Sequence, residues 1–273
     1  MTAGTELTAA ALAFDQIAEG FDGRFSAWLS VAAQRGAVRT TLAEAFPIGS
    51  RLIEIGGGTG DDALWLAERG REVLLTDASP AMVRVATAKF HGRARARATV
   101  APAEALGALE DPSASFDGAY SNFAALNCVC DLKPFARGLA RLMRTNAPVI
   151  LVVFGVNCPG EILVEALRRR PRNMFRRMVH GDVTARLGGR EFTVRYHRVA
   201  DIRSAMAPWF RPDGRQGIGV FVPPSAAEPW ISRHPRLLGA LAALDRALCG
   251  PLALFGDHIL YRFTRNDIVW NDG

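Results

Sequence analysis

The sequence predicts an α/β protein, a doubly wound sheet with helices on both faces, and three observations carry that prediction. From about residue 50 to residue 156, short apolar runs alternate with amphipathic stretches, the form taken by repeated βαβ units. A glycine-rich turn, Glu54-Ile55-Gly56-Gly57-Gly58-Thr59-Gly60, lies directly after the first run and before the first amphipathic stretch. An acid, Asp77, closes the second run, where a strand end meets the loops that bind ligands in open α/β sheets.

The elements follow in order. Phe14, Ile17, Phe21, Phe25, Trp28 and Leu29 recur at helical spacing, Val38 and Leu42 continue the pattern, and residues 1–48 are read as a helical cap ended by Pro47 and Gly49. Residues 49–156 form the core. Its strands are expected at Arg51–Ile55, Glu72–Thr76, Ala98–Ala101, Phe116–Ser121 and Pro148–Phe154, and its helices at Asp61–Arg69, Pro80–Phe90 and Leu132–Arg144. Ser79 before Pro80 is an N-cap followed by a proline whose missing N–H costs the first turn nothing. Residues 157–198 are an insert after the fifth strand. In it, Glu161–Val179 reads as a basic helix, and Val183–Leu187 and Glu191–Tyr196 flank Gly188-Gly189 as a hairpin with a primed turn. Residues 199–273 return to the sheet through a helix at Ala200–Ala207, a glycine-rich strand at Gly217–Val222, a helix at Ala226–Leu248 and a last strand at Ile259–Phe263. All 273 residues are thus read as one domain.

Composition narrows the class. Nearly half the residues are hydrophobic, and no apolar run approaches the roughly 20 residues a spanning helix needs. No basic segment followed by an apolar stretch opens the chain, so a cytoplasmic protein is expected. Cys128, Cys130, Cys158 and Cys249 have no zinc-site spacing, and no metal is expected. The net charge of +6 is regional: thirteen arginines and four acids fall between Arg168 and Arg215, leaving the remainder slightly negative. A general nucleic-acid binder would spread its basic face over the core, so nucleic acid is not the expected partner.

The glycine turn supplies the chemistry. Gly56, Gly58 and Gly60 let the backbone turn sharply and approach a ligand with no Cβ in the way, and the helix behind them offers free N–H groups. A dinucleotide motif needs its third glycine where Asp61 stands, and Asp61 and Asp62 oppose a pyrophosphate. Glu54, just before the loop, favours a cationic portion of a ligand. Asp77 is placed to accept hydrogen bonds from ribose hydroxyls.

Glu54–Gly60 together with Asp77, Ser79, Pro80 and Met82 resembles the first two motifs of class I S-adenosylmethionine-dependent methyltransferases of the small-molecule type. Phe14-Asp15-x-x-Ala18-x-x-Phe21-Asp22 resembles the aromatic-Asp repeat that precedes this core, and Phe116-Asp117-x-Ala119-Tyr120-Ser121-Asn122 its fourth strand. The resemblance covers about residues 10–155. It implies a Rossmann-like seven-stranded methyltransferase sheet and S-adenosyl-L-methionine as cofactor. Glu54, Gly56, Gly57, Gly58 and Gly60 would hold the methionine part, Asp77 the ribose, Ala78 and Met82 the adenine, and Ala103 and Glu104 its edge. Phe21 and Asn122 complete that set. Pro102 stands where many members carry an acid, a departure that bears on adenine recognition.

A sulfonium methyl is already activated, so in-line positioning supplies most of the acceleration, and a base is needed only if the acceptor must lose a proton. His197, His258 and Asn127 are the candidates. O-methylation of a small molecule is the expected reaction. The basic stretch Arg168-Arg169-Arg170-Pro171-Arg172 with Arg176-Arg177 reads as a solvated face, as a lid favouring an anionic acceptor, or as an amphipathic segment for an anionic membrane surface and a lipid-like acceptor. Two other functions compete: an RNA methyltransferase or RNA-binding protein using that stretch, and a nicotinamide-dependent oxidoreductase. Oligomeric state is not read from the sequence.

Overall fold

The structure is a computed structural model that describes residues 7–93, 95–109 and 115–267. Helices α1 (Ala9–Asp15), α2 (Phe21–Ser26) and α3 (Leu29–Ala45) come first. Then come β1 (Arg51–Ile55), α4 (Asp61–Ala67), β2 (Glu72–Asp77), α5 (Pro80–Lys89), β3 (Ala96–Val100), β4 (Gly118–Ser121), α6 (Leu132–Leu142) and β5 (Pro148–Phe154). The insert carries α7 (Pro159–Leu167), α8 (Pro171–Met174) and the hairpin β6 (Asp182–Leu187) and β7 (Arg190–Arg195). The chain ends with α9 (Val199–Met206), β8 (Phe210–Ile218), α10 (Pro235–Leu248) and β9 (His258–Arg265).

Seven strands form one sheet in the order β3-β2-β1-β4-β5-β9-β8. Neighbours from β3 to β5 run parallel, whereas β9 is antiparallel to both β5 and β8. Both faces are covered, which is why β5 reads as an unbroken apolar run. Val149, Leu151 and Val153 point into a core shared with α6 and α9, and Ile150 and Val152 into one shared with α3, α4 and α5. Each of these side chains is at most 1% exposed, worth about 1.5–3 kcal/mol apiece in burial. Because β9 is antiparallel, its first residue, His258, pairs with Phe154 at the carboxyl end of β5. That edge, beside the loops after β1, β2 and β4, is where ligands meet such a sheet.

The parallel run from β3 to β5 agrees with the βαβ reading, and Ser79 caps α5 as expected, its Oγ accepting the Met82 N–H at 3.1 Å. The hairpin forms with Gly188 at φ 56° and Gly189 at φ 78°, both left-handed as a primed turn requires.

Three expected elements differ. The basic helix Glu161–Val179 breaks after Leu167: Arg169 adopts φ 58° and Pro171 has no N–H to continue the ladder. The strand expected at Gly217–Val222 is instead β8, Phe210–Ile218, and Gly219 at φ 68° turns the chain out of the sheet. As an edge strand β8 is polar and exposed, with an irregular register between Pro212 and Gly214, so it carries little apolar alternation. The helix expected at Ala226–Leu248 starts only at Pro235, the first position of α10; Ser225–Ala227 and Ile231–Arg233 are 3₁₀ turns. Smaller shifts affect the third strand, which is Ala96–Val100, and the fourth, where Phe116 forms only an isolated bridge with Met143. Among the described residues no helix is long and apolar enough to cross a membrane.

Candidate functional site

The loop after β1 is held open by its neighbours. Gly56 and Gly57 donate their N–H groups to the Thr76 carbonyl at 2.8 and 3.1 Å, tying the loop to β2. Gly56 has φ 65°, and a Cβ there would lie 2.3 Å from that of Ala125, so only glycine lets the loop after β4 come this close. Gly58 is different. At φ 56°, its Cβ position has only Met82 Sδ within 4.0 Å, an open cradle. Gly60 at φ 82° starts α4.

The acids around this loop fall into two groups. Asp61 pairs with Lys89 and, at 2.8 Å, with Arg35; Asp62 pairs with Arg39 at 2.7 Å and accepts the Asn122 amide at 2.7 Å. These acids staple α3, α4, α5 and the β4 loop together. Glu54 is different. It is buried, it lies against Gly57, and its Oε2 has no hydrogen-bond partner. Burial, reinforced by the Asp62 carboxylate, pushes its pKa well above the ordinary glutamate value. Asp77 is half-buried, and its two oxygens accept the N–H groups of Ser79 at 2.8 Å and Gly58 at 2.9 Å. Burial raises its pKa, opposed by these backbone donors.

The N-terminal segment closes over this region. Asp15 Oδ1 accepts the Ser79 hydroxyl at 2.5 Å and the Ala81 N–H at 2.9 Å, and Asp22 Oδ1 accepts the Thr59 hydroxyl at 2.5 Å. The two acids of the aromatic-Asp repeat therefore anchor the cap to the glycine loop and to α5. Phe14, Ile17 and Phe21 pack with Met82 in a small apolar cluster beside Gly58. The signal for these acids in the sequence is their spacing within the repeat. Burial pushes the Cys128 thiol up to about 12, with the Asp77 and Glu104 carboxylates adding to the rise. Ala78 is half-buried, Ala103 is half-buried at the start of a 3₁₀ turn, and Glu104 is exposed in it.

The carboxyl ends of β4 and β5 hold the other candidates. Asn127 joins two elements: its amide donates to the Arg195 carbonyl at 2.7 Å and its Oδ1 accepts the Phe154 N–H at 3.0 Å. His197 is buried with Nε2 at 3.1 Å from the Leu126 carbonyl and 2.9 Å from that of Val129. Both side chains are thus spent on backbone groups. His258 stands apart from them. It is buried, stacks on Phe154 with centroids 4.9 Å apart, and meets the edge of Phe123 at 5.4 Å. Its ring makes no hydrogen bond among the described residues, and Nδ1 lies 3.6 Å from Asp257 Oδ2. Burial lowers its pKa against the pull of Asp257, so the ring is neutral at neutral pH.

Beside it, Arg177 is buried from the insert, bonding Asp257 Oδ1 and the Asp257 carbonyl, each at 2.7 Å, and pairing with Glu161. Cys158, Glu161 and Asp257 cluster as metal ligands do, but this guanidinium already pairs with both carboxylates.

A family model for a methyltransferase domain matches residues 52–146, the span from β1 to the turn before β5. Residues 52–146 thus carry a methyltransferase domain. No curated protein sequence matches it. Solved structures share the methyltransferase's fold at low identity. A SAM-dependent methyltransferase of Methanosarcina mazei aligns with TM-score 0.57 and 17% identity over 83% of this chain and 97% of its own. One from Mesorhizobium loti gives 0.54 and 20% over 85% and 98%. A geranyl diphosphate C-methyltransferase from Streptomyces coelicolor, solved with Mg2+, geranyl diphosphate and S-adenosyl-L-homocysteine, gives 0.53 and 13% over 85% and 79%. The cofactor these neighbours are named for or were solved with is S-adenosylmethionine or its demethylated product, S-adenosyl-L-homocysteine. The residues present fit it: Glu54 offers a buried oxygen without a partner to a cationic ligand, Asp77 is oriented by two backbone donors, and Gly58 leaves an open cradle.

Proposed function

We propose that this methyltransferase methylates a hydroxyl group of a small molecule seated at the carboxyl ends of β4 and β5, with His258 as the base. The observation that carries the reading is His258 itself: a buried ring with no hydrogen bond among the described residues, between Phe123 and Phe154, with a carboxylate 3.6 Å from Nδ1. A proton on Nδ1 facing Asp257 leaves Nε2 to accept the proton of the acceptor hydroxyl, and Asp257 then stabilises the imidazolium. The aromatic walls exclude water. The cofactor supplies a methyl already activated on sulfonium sulfur, so what the chain adds is alignment and this proton transfer. In the same reading Glu54 and Gly56, Gly57, Gly58 and Gly60 hold the methionine part, and Asp77 holds the ribose. Ala78, Met82, Ala103 and Glu104 surround the adenine, with Phe21 and Asn122 closing the site. His197 and Asn127 position the β4 loop. Residues 1–48 act as the cap, of which 1–6 lie outside the described residues, and 157–198 as the lid.

Supplying methyl-labelled cofactor with a metabolite extract identifies the acceptor. With it, kcat/KM should fall as pH drops through a value below the free-histidine pKa of about 6.5, the direction burial gives His258. His258→Gln should lose that acid limb and about 10²–10⁴ in kcat, while S-adenosylhomocysteine binding is unchanged. An unaltered pH profile in His258→Gln, or label appearing in RNA and not in a small molecule, overturns the reading.

A further inference from the structure

Helix α7 is inside out. Surface helices turn apolar residues inward and charges outward; here Glu161 and Glu165 are 3% and 6% exposed, while Leu163 and Leu167 stand 61% and 76% exposed. The buried acids are satisfied within the insert, Glu161 by Arg176 at 2.7 Å and by Arg177, Glu165 by Asn173 at 3.1 Å. What faces outward is therefore apolar and cationic. Phe175, Met178 and Val179 continue the apolar exposure at 55%, 40% and 52%, interleaved with exposed Arg168, Arg169, Arg170 and Arg172.

Helix α10 repeats the pattern next to it. Val164 of α7 packs on a small cluster that includes Ile231 and Leu238, so the two helices flank one satellite core. Beyond that core, Trp230, Leu237 and Leu244 are 54%, 42% and 44% exposed. The only acid of α10, Asp245, points inward and accepts the Phe221 N–H at 2.6 Å and the Val222 N–H at 3.3 Å. Exposed apolar groups alone would not name an occupant. The inward turn of every acid on both helices does, because the charged side chains they leave exposed are all cationic.

We infer that α7, α8 and α10 form a docking surface for an anionic lipid bilayer. Leucine, phenylalanine and tryptophan side chains enter the boundary between headgroups and acyl chains, and the arginines meet the headgroup phosphates. A second copy of the chain is disfavoured as occupant, since a two-fold interface would set this positive face against itself. The inference does not depend on the identity of the acceptor.

Co-sedimentation of the full chain with phosphatidylglycerol vesicles, against vesicles of phosphatidylcholine alone, tests it. Binding is expected to the anionic vesicles only and to weaken with salt. Arg170→Gln/Arg172→Gln should reduce partitioning about 25-fold, roughly five-fold for each arginine near the surface. Leu163→Ser/Leu167→Ser should also reduce it, although net charge is unchanged. An unaltered thermal shift with S-adenosylhomocysteine verifies that both variants are folded. Three results overturn the inference: no partitioning at low salt, equal partitioning onto phosphatidylcholine, or leucine variants that bind as tightly as the parent. A dimer in light scattering that Leu163→Ser/Leu167→Ser dissolves assigns the face to a second copy and overturns it as well.

Discussion

Asp77→Ala separates the cofactor assignment from the fold. The carboxylate is aimed by two backbone donors, Gly58 N–H at 2.9 Å and Ser79 N–H at 2.8 Å, one on each oxygen, so its orientation is fixed before any ligand arrives. Hydrogen bonds to a charged group are worth about 1.5–3 kcal/mol, and the oxygens keep lone pairs for the ribose hydroxyls. Truncation should therefore weaken S-adenosylhomocysteine about 10–150-fold, a factor of ten for each 1.4 kcal/mol. It also strips two N–H groups of their acceptor, which should lower the melting temperature of the ligand-free protein. The two effects are read separately: titration calorimetry gives the affinity, and a ligand-free thermal melt gives the stability. Asp77→Asn should fall between, since its single carbonyl oxygen serves one backbone donor while its amide opposes the other. Unchanged affinity in a folded Asp77→Ala protein would refute the placement of the ribose at Asp77.

Two further substitutions test how the acceptor side is held. Arg177→Met removes the cation between two buried carboxylates and should cost about 3–5 kcal/mol, as breaking a buried ion pair does. The pH dependence has a sign. In the parent, burial alone would raise the Asp257 pKa, but neighbouring positive charge, at neutral pH that of Arg177, holds it below the ordinary aspartate value. This carboxylate thus adds stability above the unfolded pKa and loses it as pH falls through the folded one. In Arg177→Met burial is opposed only by His258 when it is protonated and by the Gln34 hydrogen bond, so the deficit in melting temperature should be largest near neutrality and shrink on acidification. A deficit that does not change with pH would sink this account. Asn127→Ala should cost about 1–3 kcal/mol by leaving the Phe154 N–H and the Arg195 carbonyl unpaired, read from chemical denaturation with an unchanged m-value.

The core of the fold was legible because parallel strands buried on both faces and glycine turns at strand ends leave local patterns. Val149–Val153 announces a central strand, and Ser79-Pro80 announces a helix start. Legibility failed where tertiary contacts override such patterns. β8 carries polar residues because it is an edge, so its pairing with β9 has no signature in its own sequence. α7 misleads for the opposite reason. Its apolar residues do fall at helical spacing, but periodicity cannot say which face is turned inward, and here Glu161 and Glu165 take the interior because Arg177 and Asn173 are there to meet them. The same limit applies to the histidines. His197 and His258 looked alike in sequence, and only their partners, two carbonyls for one and no hydrogen bond for the other, distinguish them.

The pairing of the loop's carboxylates bears on how it would fit a sulfonium cofactor. Asp61 and Asp62, which argue against a pyrophosphate in the sequence, are neutralised by Lys89, Arg35 and Arg39 and belong to the scaffold. Asp15 and Asp22 are bonded to Ser79 and Thr59 and hold the cap. What remains is Glu54, buried, raised in pKa and with one oxygen unbonded. Leaving such a group in the interior costs the fold about 1–3 kcal/mol. A ligand bearing a positive charge offsets that cost on binding, whereas an anionic dinucleotide would add to it. Any preference of the loop for a cationic ligand would therefore rest on Glu54, which keeps an unbonded oxygen among the described residues, and not on the number of acids around it.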